Sequence, residues 1–300
     1  MQPATRNPQP VTSINRLAII GVGLIGGSLA RALREADVCG EIVGCGRDRA
    51  QLEKAAALGI VDRFTTDPAE AVAGADMVVL AVPVGSMGSV FARIAGSLAA
   101  DAVITDVGST KASVVAAVRE VAGSLPGGFV PGHPIAGTEK SGVEASFASL
   151  FQGRRVILTP HETTHAEALA RVRAMWEACG AQVTTMGIAH HDEVLAATSH
   201  LPHLLAYALV DSLARMEDRT EVFAYAAGGF RDFTRIASSD PTMWRDICLA
   251  NREALLALLE RFGADLSRLT DAVREGDGAQ LMETFERAKA ARDNFEDPGE

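Results

Sequence analysis

Up to about residue 187 the chain alternates short apolar runs with longer amphipathic stretches. Residues 17–20, 41–45, 77–82, 102–106 and 129–131 read as strands, with helical segments between them. Strands that alternate with helices predict a parallel, doubly wound sheet, because parallel neighbours need a crossover and a helix is the usual one. Residues 154–158 and 182–185 predict two further strands flanking a helix over 162–179. After Gly187 strand patterning stops and helical periodicity takes over, so the second part of the chain is expected to be all-helical. Within it, Asp240 and Pro241 have the chemistry of a helix cap and first helical position. Leu255, Leu259, Phe262, Leu266, Leu269 and Val273 recur at spacings of four and three, which is one apolar helix stripe. It faces either the domain core or a second copy of the chain, and it is too short to argue a coiled coil by itself. The expected organisation is a tail over 1–15, an α/β domain over 16–187, a helical domain over 188–295 and a tail over 296–300.

Composition narrows the partners. The 300 residues are 48% hydrophobic, ample for packed cores in two domains. A net charge of −10 and a pI near 5.2 disfavour nucleic acid and anionic membrane, which need concentrated Lys and Arg. An anionic small substrate therefore needs a local basic pocket. Cys39, Cys45, Cys179 and Cys248 lie far apart without a CxxC pair, so neither a disulfide framework nor a zinc ribbon is indicated. The first fifteen residues carry Pro3, Pro8 and Pro10 but no apolar segment of signal-peptide length, and no run approaches a membrane span. A cytoplasmic protein is expected.

The most informative stretch for chemistry lies at the end of the first strand. There the apolar run enters Gly21, Gly23, Leu24, Ile25 and Gly26 and continues as a helix. Gly21 allows a tight turn, Gly23 lets a pyrophosphate approach the backbone, and Gly26 lets the helix lie close on the strand. The helix N-terminus then offers free N–H groups to phosphates. Dinucleotide binding is expected, with Val82 and Pro83 at the end of a neighbouring strand also facing the cofactor. NAD-binding turns usually carry an acid at the end of the second strand. This chain has Gly46 there, followed by Arg47, which suits a 2′-phosphate, and Asp48, which could still reach a ribose. The expectation is NAD(P)+, tilted toward NADP+.

Three clusters remain. Asp106 to Lys111, DVGSTK, and His133 to Glu139, HPIAGTE, each follow a strand, where open α/β sheets bind ligands. His133 can exchange a proton near neutral pH, or can be a structural histidine before a turn. His190, His191 and Asp192 stand shortly before His200 and His203, which raises a metal site; Pro202 and the lack of a nearby cysteine rank hydrogen bonding above it. Arg231 and Arg235 lie in an apolar segment suited to a carboxylate, or to an ion pair with Asp232, Asp240 or Glu139.

Taken in order, GVGLIGGS, DVGSTK, HPIAGTE, HHDEVLAATSHLPH and GGFRDFTRIASSDPTMW resemble the prephenate/arogenate dehydrogenase family of tyrosine biosynthesis, over roughly residues 16–290. The resemblance implies a Rossmann-type domain followed by a helical dimerisation domain, hence a homodimer. It implies oxidative decarboxylation of prephenate or arogenate, with hydride passing to NAD(P)+. It places His133 at the substrate hydroxyl and Ser109 beside it as catalytic residues, and Arg235 on a substrate carboxylate. His200 and His203 are expected to line the pocket, Glu139 and Asp232 to lie near Arg235, and Lys111, Thr138 and Trp244 to stand behind or around it; no metal is expected. A β-hydroxyacid-type dehydrogenase needs a lysine from the helical domain. This chain has only Lys54, Lys111, Lys140 and Lys289, and none between Gly187 and Ala288. A non-catalytic dinucleotide sensor has no reason to keep His133, His200, His203 and Arg235 together.

Overall fold

The computed structural model describes residues 14–138, 140–217 and 219–294. Six parallel strands form the first sheet in the order β3-β2-β1-β4-β5-β6. They are β1 (Ile14–Ile20), β2 (Cys39–Cys45), β3 (Arg63–Thr65), β4 (Met77–Leu80), β5 (Val103–Asp106) and β6 (Phe129–Val130). This is the doubly wound order of dinucleotide-binding sheets, with its switch point between β1 and β4. Helices α1 (Leu24–Glu35), α2 (Arg49–Ala57), α3 (Pro68–Val72), α4 (Met87–Ile94) and α5 (Ala112–Ala122) make the crossovers.

A parallel sheet is covered on both faces, so its strands are apolar on both. Leu17, Ile19, Met77 and Val79 pack into one layer with Leu29 and Leu33 of α1. Their alternates Ala18, Ile20, Val78 and Leu80 pack into the other with Phe91 of α4 and Val114 and Val118 of α5.

Three features depart from the sequence expectation. The tail over 1–15 is too long, because Ile14 and Asn15 belong to β1: Ile14 is 1% exposed and Asn15 N–H donates to Asp76 Oδ2 at 3.1 Å. The expected tails otherwise fall outside the described residues. β3 went unpredicted because its three residues, Arg63, Phe64 and Thr65, carry no apolar run. The strands expected over 154–158 and 182–185 exist as β8 (Arg155–Leu158) and β9 (Gln182–Thr185), but they form a second sheet with β7 (Gly132–Pro134). β7 runs antiparallel to β8, with His133 opposite Ile157. The chain breaks at Pro131, which cannot donate to a ladder, and His133 therefore lies in a strand of its own two residues beyond a strand of the main sheet. Helix α6 (Ala166–Ala178) covers this edge, with Trp176 buried edge-on against Phe151 at 5.0 Å.

From Ile188 the described residues are helical: α7 (Ile188–Leu195), a π-turn over Ala196–His200, α8 (Leu201–Ala214), α9 (Arg219–Ala224), α10 (Gly228–Thr234), α11 (Pro241–Ala250), α12 (Arg252–Glu275) and α13 (Gly278–Asp293). Pro202 has no N–H to return to the preceding turn, which accounts for the widened turn before it. Asp240 caps α11, accepting Met243 N–H at 2.8 Å, with Pro241 in the first turn. The stripe from Leu255 to Val273 lies on α12, where Leu255 is buried but Leu266 and Val273 are exposed. No helix among the described residues is long and apolar enough to cross a membrane.

Candidate active site

The glycine turn has the shape its residues predict. Gly21 has φ +106, and a Cβ there would lie 2.2 Å from Ala81 O; at Gly26 it would lie 2.2 Å from Gly21 O. Neither position has room for a side chain. Gly23 differs, because a Cβ there would meet nothing within 4 Å. It is the N-cap of α1 and provides no side-chain cap, so the first N–H groups of the helix face an open cradle. That is the shape a pyrophosphate needs. Leu24 and Ile25 form the first turn of α1, and Val82 and Pro83 follow β4 across the switch point. At the end of β2, Asp48 caps α2 by accepting Ala50 N–H at 2.9 Å and Gln51 N–H at 3.3 Å. Its carboxylate is thus occupied, whereas Arg47 is exposed.

A buried polar cluster stands beside this end of the sheet. Asp106, the last residue of β5, is fully buried. It accepts Gly108 N–H at 2.7 Å and Gly132 N–H at 3.2 Å, and is paired with the buried Lys111 ammonium. Lys111 Nζ also donates to Gly132 O at 2.6 Å, so this pair fixes the start of β7 directly before His133. Burial pushes the Lys111 pKa down, with the Asp106 charge opposing it.

His133 is 8% exposed, and its Nδ1 lies 2.9 Å from His191 Nε2. His191 Nδ1 in turn lies 2.7 Å from Asp192 Oδ1. The Asp192 carboxylate also accepts Lys111 N–H at 2.7 Å and Ala112 N–H at 2.9 Å, capping α5 from the helical domain. Burial opposes ionisation of Asp192, but the bonds from His191, Lys111 and Ala112 outweigh it and hold the carboxyl below its usual range. Burial, followed by the nearby His191, Lys111 and His200, holds His133 well below the ordinary histidine value, so its imidazole is neutral at physiological pH.

The helical domain contributes His200, His203, Trp244 and Asn251. His200 is 1% exposed, and its pKa is pushed down to about 4, chiefly by burial. Asn251 Nδ2 bridges Asp192 O at 2.8 Å and His200 Nδ1 at 3.0 Å. His203 donates from Nδ1 to Ser199 O at 2.8 Å and stacks on Trp244 at 3.6 Å. Its pKa is lowered by burial and, less strongly, by the Arg235 charge, with the Ser199 bond opposing. Arg235 and Asp232 are exposed at the end of α10. Ser109 is half-buried in the loop after β5. Thr138 is exposed and accepts Lys140 N–H at 3.2 Å, while Glu139 lies outside the described residues.

The cluster therefore joins His133, Lys111, His200 and the Ser109 loop, with His203, Trp244 and Arg235 adjoining on the helical side. Sequence reasoning noticed His191 and Asp192 only as candidate ligands and did not assign them a role. Asn251 and Asp106 were likewise not singled out as site residues. Their partners lie as far as 81 positions away in the chain, a separation that spacing cannot reveal.

Comparison with known proteins agrees with this architecture. Residues 29–185 match the family model for the prephenate dehydrogenase nucleotide-binding domain, and residues 188–287 match that for the prephenate dehydrogenase dimerization domain. A cyclohexadienyl dehydrogenase from Zymomonas mobilis is 44% identical over 287 residues, covering 94% of this chain and 96% of the relative. The prephenate dehydrogenase of Bacillus subtilis is 36% identical, over 93% of this chain and 76% of its own. Among solved structures, prephenate dehydrogenase from Aquifex aeolicus in complex with hydroxyphenyl propionate and NAD+ superposes with a TM-score of 0.87 at 40% identity, covering 94% and 98% of the two chains. Synechocystis arogenate dehydrogenase gives 0.77 at 28% identity, covering 93% and 99%. The glycine turn, the buried histidine cluster and these similarities agree: this chain belongs to the prephenate dehydrogenase family.

Proposed function

We propose that this chain oxidatively decarboxylates prephenate or arogenate to the corresponding 4-hydroxyphenyl product in tyrosine biosynthesis, with His133 as acceptor of the substrate hydroxyl proton. The observation that carries this role is the state of His133: it is neutral, its Nδ1 is satisfied by His191, and Nε2 has no protein partner among the described residues. The bound nicotinamide supplies the hydride acceptor. As hydride leaves the ring carbon bearing the hydroxyl, positive charge develops on that oxygen and its proton moves toward His133 Nε2. The bond from the ring to its carboxylate then breaks, its electron pair completes the aromatic ring, and carbon dioxide departs. The oxygen takes the proton back as a phenol, so His133 ends as it began. Aromatisation drives the reaction, and the protein mainly positions the ring and holds the proton.

Ser109, in the loop beside His200, helps hold the hydroxyl, the histidine or the nicotinamide. Arg235 binds a substrate carboxylate, and Asp232, Glu139 and Thr138 complete the substrate-binding set that the family resemblance implies. His203 fixes the neighbouring wall by stacking on Trp244. His200 holds that wall from behind through Asn251. Leu24, Ile25, Val82 and Pro83 line the dinucleotide site around the glycines. Exposed Arg47 beside Gly46, with Asp48 committed to capping α2, supports a preference for NADP+ over NAD+. The protein acts as a homodimer through the helical domain; the exposed apolar residues Leu266, Val273, Met282 and Phe285 on α12 and α13 support this.

The test is absorbance at 340 nm with prephenate and arogenate crossed against NAD+ and NADP+. A rise in at least one trace is expected, and its size ranks substrate and cofactor. Four flat traces from protein that still binds dinucleotide overturn the reading in favour of a sensor.

A further inference from the structure

We propose that His191 and Asp192 are positioning residues that fix which ring nitrogen of His133 carries a proton. The inference rests on the reading of His133 as proton acceptor, and it explains why Nε2 is the nitrogen available. Asp192 is buried and ionised, and two backbone N–H groups already point at its oxygens. A carboxylate in this state can only accept, so His191 donates to it from Nδ1. With one ring proton, given to Asp192 from Nδ1, His191 keeps a lone pair on Nε2, and that atom lies 2.9 Å from His133 Nδ1. His133 must donate from Nδ1, which leaves the Nε2 lone pair for the substrate. The reverse pattern would set His191 Nδ1, as a lone pair, against the carboxylate oxygen in a buried site, where two facing acceptors are costly.

The same carboxylate ties the arrangement to the fold. Asp192 sits on the first helix of the helical domain and holds the first N–H groups of α5 in the dinucleotide domain. Lys111, whose backbone N–H is one of those donors, reaches back with its ammonium to Asp106 and Gly132 O. His133 is therefore held from its backbone by Lys111 and from its ring by His191. Both restraints converge on Asp192, so its loss affects the protonation pattern and the ring orientation together.

The experiment uses ring-15N histidine spectra of the full-length enzyme, with His133 assigned by difference from His133→Asn. The expected wild-type result at neutral pH is a proton on Nδ1 and none on Nε2. His191→Phe removes the acceptor, whereas His191→Gln offers an amide oxygen near the same place. The Phe variant is expected to lose the single tautomer and to lower kcat by about 10- to 100-fold, the scale for partners that orient an active histidine. KM and dinucleotide affinity stay unchanged, and the Gln variant recovers most of kcat. A wild-type spectrum with the proton on Nε2 overturns the proposal, as does wild-type kcat in His191→Phe. The wild-type spectrum decides the matter even if the Phe variant does not fold. Full turnover by His133→Asn refutes a different claim, the acceptor role itself, so the two failures are read from different variants.

Discussion

Gly23 and Gly26 occupy the same turn, yet the structure predicts that adding one methyl group to each has opposite consequences. A Cβ at Gly26 would lie 2.2 Å from Gly21 O and 2.9 Å from Ile19 Cγ2. The first obstacle is backbone, held by Gly21 N–H donating to Cys45 O at 2.7 Å, so the helix must move off the strand. Overpacking of this kind costs about 1–3 kcal/mol or more. At about 2–4 °C per kcal/mol for a domain of this size, Gly26→Ala should lower Tm by roughly 2–12 °C. At Gly23 a Cβ meets nothing within 4 Å, and φ −103 with an extended ψ is open to alanine. Gly23→Ala should leave Tm unchanged or raise it slightly, since replacing a compatible glycine adds about 0.4–1 kcal/mol through the unfolded chain. The open cradle, however, is where the dinucleotide reading puts phosphate oxygens, against the α1 N–H groups. Losing one charge-assisted bond costs about 1.5–3 kcal/mol, a roughly 10- to 150-fold rise in dinucleotide Kd. Differential scanning fluorimetry and a fluorescence titration with NAD+ and NADP+ separate the two effects. Wild-type dinucleotide affinity in Gly23→Ala refutes the phosphate cradle, and a wild-type Tm in Gly26→Ala refutes the packing argument.

Other consequences are equally direct. His133→Asn should fold and bind dinucleotide while losing about 10²–10⁴ in turnover, and steady-state kinetics near wild type would remove His133 from the acceptor role. Arg235→Ala should raise KM by an amount equivalent to about 2–5 kcal/mol if it pairs with a desolvated carboxylate; an unchanged KM with lower stability would make it a structural residue instead. His200 is neutral when folded, with its pKa pushed from 6.5 to about 4, so the unfolded chain binds the extra proton. The sign follows: its contribution is complete above pH 6.5 and is lost as pH falls toward 4, about 2 kcal/mol of it between pH 7 and 5. Urea midpoints at those two pH values should differ more for wild type than for His200→Gln, and equal differences would refute the assignment.

Legibility in the sequence followed the range of the interactions. The glycine turn, the crossover alternation of β1, β2, β4 and β5, and the Asp240 cap are local devices, and each is encoded within a few residues. β7 was invisible because its pairing with β8 joins His133 to Ile157, and a three-residue strand after a proline has no period of its own. The polar cluster was half legible. DVGSTK and HPIAGTE mark their positions, and resemblance gave His133, Ser109 and Arg235 their expected roles. That Lys111 bonds Gly132 O, or that Asn251 ties His200 to Asp192, depends on contacts between segments 21 to 59 residues apart. The His190, His191 and Asp192 run invites a metal reading from composition. In the folded chain His190 turns outward, 3.8 Å from Glu193, while His191 and Asp192 turn inward.

The seam between the domains explains why these inward groups are charged and polar when an apolar contact would be easier to bury. Asp106, Lys111 and Asp192 are all removed from water, and each carries a desolvation cost that only complete hydrogen bonding offsets. Asp106 and Lys111 find their side-chain partners within the dinucleotide domain, whereas the Asp192 carboxylate is satisfied from α5 only when both domains stand in one relative position. Displacing α7 would strand the Asp192 carboxylate and uncap α5. An apolar seam tolerates such sliding, because hydrophobic contact is non-directional. The dinucleotide is expected to bind on one domain, while Arg235, His203 and Trp244 belong to the other. The proposed reaction, with a ring held between them, gains from a seam that permits one register, and His133, the proposed proton acceptor, stands on the dinucleotide side of that seam.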